Sequence, residues 1–430
     1  MRYRPIDPQL FINNRANLAK LLEANSLVIV NANDLMPTNA DGSFAWRQSS
    51  DLFYLTGVDQ EETILLLYPD AHEKNMREIL FVRETNDLLV TWEGHKLTKQ
   101  QAQEVSGIKR VEWLSEFRPL FHRLICECDH VYLNSNEHKR AVIEVETREA
   151  RFVRDTQTRY PLHDYRRLAR LMHRLRAVKS NLELDLIAHA ASITRAGFLR
   201  VCRVVKPGVS ETEIEAEFAH EFIRRGGDFA YGPIIASGPN ACVLHYHQND
   251  QVCRAGELLL LDVAASYANY NSDLTRTIPV NGRFTRRQRQ VYGAVLRVFR
   301  AASKAATPGK LPREWQKESE AAMEKELLDL GLLKPSEVRK QDPEKPALKK
   351  YFMHGVGHPL GLDVHDVGIT TEPIQAGWVL TVEPGIYLPK EGLAVRLEND
   401  ILVQEGGNID LMADVPLEAD EIEHLMKKRK

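Results

Sequence analysis

A chain of 430 residues has room for two or three domains, and its 43% apolar and 27% charged residues are ordinary for a globular protein. Its 57 basic residues against 60 acidic ones leave a net charge of −3, which excludes a general nucleic-acid binder, and no apolar run reaches the ~18–20 residues of a membrane span. The first 25 residues lack the apolar core of a signal peptide, and the five cysteines (Cys126, Cys128, Cys202, Cys242, Cys253) are scattered and odd in number. A cytoplasmic chain with reduced thiols, and with neither nucleic acid nor membrane as a partner, is the expectation.

Residues 26–30, 63–68 and 78–82 are apolar runs that predict buried strands. Between the first two, residues 44–57 are dense in aromatics and end on Gly57. Strands alternating with helical stretches predict a small α/β domain over residues 1–165. Cys126-Glu-Cys128 has no second cysteine pair and is not read as a metal site. From Tyr165 to Lys179 the chain turns basic, with Arg166, Arg167, Arg170, Arg174 and Arg176. Leu168, Leu171, Met172 and Leu175 recur at helical spacing, so an amphipathic linker helix with a solvated basic face is expected over residues 166–180.

The rest repeats a pattern. Ser180-x-x-Glu183 and Ser210-x-x-Glu213 are capping boxes opening two helices, separated by Pro207-Gly208 and closed by Gly226-Gly227. About a hundred residues later Thr285-x-x-Gln288 opens a helix ended by Pro308-Gly309, and a charged helix follows to Gly331. Strands come after each helix pair. This predicts an internal duplication that encloses a cleft, with residues 334–350 as a loop of the second copy.

Each copy carries a pair of acids. Glu257-Leu-Leu-Leu-Leu-Asp262 is an apolar strand with one acid at its end, and Asp273 sits in the strand-like run Tyr270-Asn-Ser-Asp273. A hairpin turning near Tyr267-Ala268 would set Asp262 and Asp273 opposite each other. Around Pro389-Lys-Glu-Gly392, a second hairpin would do the same for Glu383 and Glu398. Facing carboxylates on apolar strands repel unless a cation lies between them. Met353-His-Gly-Val-Gly-His-Pro-Leu-Gly-Leu-Asp-Val-His365 adds three histidines among glycines, of which His358 could give one imidazole. Four carboxylates and an imidazole exceed one zinc tetrahedron. They suit two divalent ions, manganese or a similar hard ion, and a hydrolysis in which water held by the ions is the nucleophile.

The order Asp262, Asp273, His358, Glu383, Glu398, with Asn271-Ser-Asp-Leu-Thr-Arg, His354-Gly-Val-Gly-His, Thr381-Val-Glu-Pro-Gly and Arg396-Leu-Glu-Asn-Asp-Ile, resembles the dimetal site of the pita-bread metallopeptidases. Within them the aminopeptidase P group is the nearest, and its signature segment is similar to Trp46-Arg-Gln-Ser-Ser-Asp-Leu-Phe-Tyr-Leu-Thr-Gly57. The resemblance implies an α/β (α+β) chain, with a creatinase-like N-terminal domain before a pita-bread catalytic domain over residues 181–430. It implies cleavage of an N-terminal Xaa-Pro bond, a peptide partner with proline second, and a homodimer or homotetramer. It further implies that Asp273 and Glu398 bridge the metals, that Asp262 binds one alone, and that His358 and Glu383 complete the other. Glu383 would take the proton of the attacking water, His245 would line the substrate site, and His354 and His365 would bond the scissile carbonyl region. Arg396 would support the site. His247 has no role in the pattern. Trp46 and Trp92 are candidates for the substrate entrance but read more simply as packing residues.

Alternatives within this resemblance are a prolidase, disfavoured because residues 366–377 hold no Arg or Lys to clamp a dipeptide carboxylate, a methionine aminopeptidase, a creatinase, and a peptide- or histone-binding module that lost its chemistry.

Overall fold

The computed structural model describes residues 3–142 and 144–427. It divides into two compact units: Pro5–Arg176, and residues 177–427 together with Tyr3 and Arg4.

In the first unit the apolar runs form strands β1 (Ser26–Asn31), β2 (Ile64–Leu67) and β3 (Glu78–Val82), followed by β4 (Arg110–Trp113), β5 (His130–Leu133) and β6 (Asp164–Arg167). They make one mixed sheet in the order β4-β3-β2-β1-β5-β6. Alternate residues Leu27 and Ile29, Ile64 and Leu66, Ile79 and Phe81, and Val131 and Leu133 share one face, which packs on Phe117, Phe121 and Leu124. The opposite face, with Val28, Leu65 and Leu80, is buried too. A sheet covered on both sides reads as continuous apolar runs, which is why β1, β2 and β3 were legible.

The helices of this unit are α1 (Gln9–Ala19), α2 (Ser50–Thr56), α3 (Asp87–Glu93), α4 (Lys99–Ser106), α5 (Phe117–Ile125), α6 (Arg148–Arg159) and α7 (Ala169–Ala177). The aromatic segment 44–57 becomes α2. Its N-terminus is capped by Ser49, and it ends at Gly57, whose φ of +67° and Cβ position 2.2 Å from Phe11 leave room for no other residue. Two expectations are corrected. The helix expected from residue 166 begins only at Ala169; Asp164–Arg167 pairs parallel to β5 as an edge strand. There Tyr165 packs on the core, and Arg166 and Arg167 bind Asp164 and Glu137, charges that suit an exposed edge. Trp92 is 80% exposed on α3 and is no packing residue, whereas half-buried Trp46 donates from Nε1 to the Asn33 carbonyl at 3.3 Å.

The second unit shows the repeat. Helices α8 (Asn181–Val204) and α9 (Glu211–Arg224) open on the predicted capping boxes of Ser180 and Ser210, and α10 (Arg286–Ala305) opens on that of Thr285. Val291, Val295 and Val298 of α10 are buried, as their spacing requires. Helix α11 (Pro312–Asp329) follows. Residues 334–350, expected as a loop, contain the short helix α12 (Pro335–Arg339), and Ala419–Lys427 forms α13.

Strands β7 (Asp228–Phe229), β8 (Ile234–Ser237), β9 (Leu258–Asp262), β10 (Ala265–Tyr267), β11 (Tyr270–Asn271) and β12 (Thr275–Pro279) follow the first helix pair. After the second pair come β13 (Val379–Val382), β14 (Gly385–Leu388), β15 (Leu393–Arg396), β16 (Asn399–Leu402) and β17 (Ile409–Asp410). β12, β9 and β8 form one antiparallel sheet and β13, β16 and β17 another. No helix among the described residues is long and apolar enough to cross a membrane.

Candidate metal centre

Register decides which side chains meet. In the first hairpin Tyr267 pairs with Tyr270, so the turn is Ala268-Asn269, both at positive φ (51° and 64°). Asp262 therefore faces Thr275 and not Asp273, which corrects the expected pairing by two residues. Because side chains alternate with period two, the shift leaves both acids on the same face. The second hairpin keeps the expected register: Gly385 pairs with Arg396 and Val382 with Asn399, so Glu383 and Glu398 fall at the break between the two ladders.

Thr275 joins the halves. It pairs with Asp262 on one side and bridges Glu398 on the other, where the Glu398 N–H donates to its carbonyl at 3.0 Å. Its hydroxyl donates to Glu398 Oε2 at 2.6 Å and accepts from Arg396 Nε at 3.2 Å.

The histidine segment runs beside β13. Thr381 N–H donates to the His358 carbonyl at 2.8 Å, and Glu383 N–H to that of Val356 at 2.8 Å. Gly357 is required for this approach, since a Cβ there would lie 1.9 Å from the Thr381 carbonyl oxygen. Asn271 ties the same segment to the first hairpin, donating from Nδ2 to the carbonyls of Gly361 (2.9 Å) and Leu362 (3.0 Å).

Five predicted ligands thus converge. One ligand atom each of Asp273, His358 and Glu398 lies within 4.8 Å of the others. His358 Nε2 is 3.6 Å from Asp273 and 3.9 Å from Glu383, while its Nδ1 is 2.9 Å from the Pro359 carbonyl. A proton on Nδ1 leaves Nε2 with a free lone pair, the tautomer a metal ligand needs. Tyr231 Oη lies 2.6 Å from both Asp262 Oδ1 and Asp273 Oδ1, which connects Asp262 to the group.

The electrostatics favour a bound cation. Burial, then the charges of Asp262 and Asp400, hold the Asp273 carboxyl well above the ordinary range. Burial, then Asp273 and Glu383, do the same to Glu398 against the pull of Arg396. Acids that face acids in a dry site gain little from protein donors, whereas a divalent ion satisfies them directly. The donor set, four carboxylates and one imidazole, fits divalent ions.

Arg396 is buried beside them. Burial opposes its charge, but Tyr387, Asp262 and Glu398 outweigh that and hold it protonated. It pairs with Asp262 through Nη2 and donates from Nη1 to Tyr387 Oη at 2.9 Å. Tyr387 Oη lies 2.8 Å from His354 Nε2, and His354 Nδ1 lies 2.8 Å from the Gly355 carbonyl. Burial, with the charge of Arg396, lowers the His354 pKa to about 3, so its ring is neutral. Both its nitrogens are engaged, and a contact to substrate would replace one of these bonds. His365 is exposed and stands edge-on to the His358 ring at 4.3 Å.

Comparison with known proteins identifies the family. The model of metallopeptidase family M24 matches residues 185–405, and that of the aminopeptidase P N-terminal domain matches residues 11–132. The chain belongs to family M24. Among M24 relatives, the Xaa-Pro aminopeptidases of Escherichia coli and Haemophilus influenzae are each 33% identical; the matches cover 98% and 97% of this chain and 98% and 96% of theirs. A solved variant of Escherichia coli aminopeptidase P in complex with substrate superposes with a TM-score of 0.87 at 32% identity, covering 99% of both chains. Other structures of that protein hold the inhibitor Pro-Leu, or substituted zinc with product.

One predicted residue, His245, lies in an exposed loop with His247, for which no role was expected. His245 and His247 are exposed and stacked on each other, with ring centroids 6.2 Å apart, and neither bonds a carboxylate of the site. Sequence reasoning missed Tyr231, Tyr387 and Asp400. Asp400 is fully buried; its Oδ2 accepts the Asp273 N–H at 3.0 Å, and its Oδ1 has no partner among the described residues. The signal for Tyr231 was faint: an aromatic before Gly232-Pro233, three residues ahead of the strand residue Ile234 that pairs with Asp262.

Proposed function

We propose that this metallopeptidase removes the N-terminal residue from peptides whose second residue is proline. The observation that carries it is the convergence of Asp262, Asp273, His358, Glu383 and Glu398 within a fold shared over its full length with aminopeptidase P. The family relatives named Xaa-Pro aminopeptidase support the substrate class.

In this reading the five residues would hold two divalent ions. Such ions polarise a carbonyl and acidify water. Tyr231 and Arg396 fix the orientation of the acids before substrate arrives. Glu383, within 4 Å of both His354 and His358, accepts a proton from the attacking water. His365 and neutral His354 face the scissile carbonyl and the oxyanion that grows from it, and His245 contacts the substrate from its exposed loop. The oxygen-rich donor set favours manganese. Five cysteines that form no disulfide support a cytoplasmic setting, and the family resemblance supports a homodimer or homotetramer.

Product analysis of a matched series tests the activity. Xaa-Pro-Xaa tripeptides, incubated with the manganese-loaded protein, should release the first residue faster than Xaa-Pro dipeptides are split. A strong dipeptide preference would overturn the aminopeptidase assignment in favour of a prolidase.

A further inference from the structure

The first unit holds a cavity of about 950 Å³, within the size range of small-molecule sites, and every residue lining it belongs to that unit. One face of α6 forms its wall: Arg148, Phe152, Asp155 and Arg159 recur at helical spacing and all line the space. Most of the charge here is already satisfied. Asp155 binds Arg159 at 2.8 Å and lies 3.7 Å from Arg118, and Arg151 pairs with Asp34.

Arg148 differs. Its guanidinium is half-buried, and among the described residues it makes no hydrogen bond or ion pair, although Glu62 and Asp34 attract it from a distance. Its backbone is nevertheless fixed. The Arg148 N–H donates to Asp34 Oδ2 at 2.7 Å, and neighbouring Glu149 accepts from both N and Nδ2 of Asn31 at 2.8 Å. A desolvated, positioned guanidinium with an unused fork suits a carboxylate bidentately. Glu62, which also lines the cavity, is the acid that acts most strongly on Arg148, and only one of its oxygens is taken, by Arg83 Nε at 3.2 Å. A free cation beside a half-used acid is the complement of a zwitterion. One turn along α6, Phe152 lies on the same face as Arg148, and its ring centroid is 5.7 Å from that of Phe121.

We propose that this cavity binds a free amino acid with an aromatic side chain, its carboxylate on Arg148, its ammonium on Glu62 and its ring against Phe152. The site is separate from the metal centre's residues and does not depend on the proposed hydrolysis.

L-Phenylalanine titrated into the full chain, stripped of metal with EDTA, tests this by calorimetry and ligand-observed NMR. Saturable binding is expected, with glycine, 3-phenylpropionate and phenethylamine each weaker by about tenfold or more, because each lacks one of the three contacts. Arg148→Gln should weaken phenylalanine by about tenfold or more, and Arg148→Lys should fall between, since lysine keeps the charge and loses the fork. Cleavage of Xaa-Pro peptides by either variant should be unchanged, so the two readings fail separately. Absence of saturable binding would overturn the site. So would unchanged affinity in a folded Arg148→Gln chain, or binding of 3-phenylpropionate as tight as that of phenylalanine.

Discussion

Around Glu211, at the start of α9, four donors converge: the N–H and hydroxyl of Ser237 at 2.7 Å on one oxygen, and the Tyr246 hydroxyl at 2.7 Å and Gln251 N–H at 3.0 Å on the other. Around Asp273 and Glu398, in the same unit, the neighbours are acids: Asp262, Glu383 and Asp400. Both regions bury carboxylates almost completely, so burial alone does not separate a structural acid from a functional one. The surroundings do. A carboxylate clothed in donors is satisfied by the protein and holds a loop in place. Carboxylates that face one another still repel despite donors such as Tyr231 and Thr275, and a cation relieves that repulsion.

Neutralising an acid in each region should therefore have opposite consequences, and the largest belongs to the crowded site. Asp273→Asn should lower kcat/KM on an Xaa-Pro-Xaa tripeptide by about a thousandfold or more. It should also abolish binding of manganese, measured as ions per chain after dialysis. In metal-free buffer the same variant should melt no lower than the metal-free parent, because it removes a buried charge that faces other acids. A fully active Asp273→Asn protein would sink the assignment.

A smaller effect is expected at a protein donor that serves two of these acids at once. Tyr231 touches both Asp262 and Asp273. Tyr231→Phe keeps the ring and deletes the hydroxyl, so metal affinity, read by chelator competition, should fall about 10–100-fold while the fold persists. Unchanged affinity would show that the acids need no help to stay oriented.

Glu211→Gln is the counterpart. The amide nitrogen cannot accept from the donors that the carboxylate oxygen satisfied, leaving buried donors unpaired. Urea unfolding should show a loss of about 1–3 kcal/mol, with metal content per folded chain unchanged. A loss of metal without a loss of stability would erase the distinction between the two regions.

The contrast also explains what could be read from sequence. Ser180, Ser210 and Thr285 announce their helices because capping is local, and the Leu258–Asp262 strand announces itself because both its sides are apolar. The four acids of the candidate site were legible because acids on apolar strands are costly and occur in two copies, and His358 because it stands among glycines and other histidines. The register of the first hairpin was not, since it turns on the left-handed pair Ala268-Asn269, which carries no glycine to mark it. Tyr231, Tyr387 and Asp400 escaped for another reason. Their importance lies in contacts 31 to 127 residues away along the chain, and neither a tyrosine in a loop nor an aspartate in a strand is unusual by itself. Residues 164–167 escaped because an edge strand rich in charge has no apolar alternation to distinguish it from a helix.

The first unit offers the mildest test of the same contrast. Glu149 is an intermediate case: its donors come from Asn31 alone, and burial pushes its pKa up to about 7, with the Asp51 charge adding to the effect and Asn31 and Arg148 opposing it. In the folded chain this carboxyl keeps its proton up to about pH 7, whereas in the unfolded chain it releases it in the ordinary carboxylate range. The stability it contributes is fully present below that ordinary range and is lost as pH rises through 7. Unfolding free energies from urea titrations at about pH 5 and pH 8 should differ by up to about 2 kcal/mol on this account. Glu149→Gln, which resembles the protonated acid at every pH, should flatten that difference. If the variant keeps the full pH dependence, Asn31 clothes Glu149 as well as four donors clothe Glu211, and the boundary between the two kinds of buried acid lies at fewer hydrogen bonds than the geometry suggests.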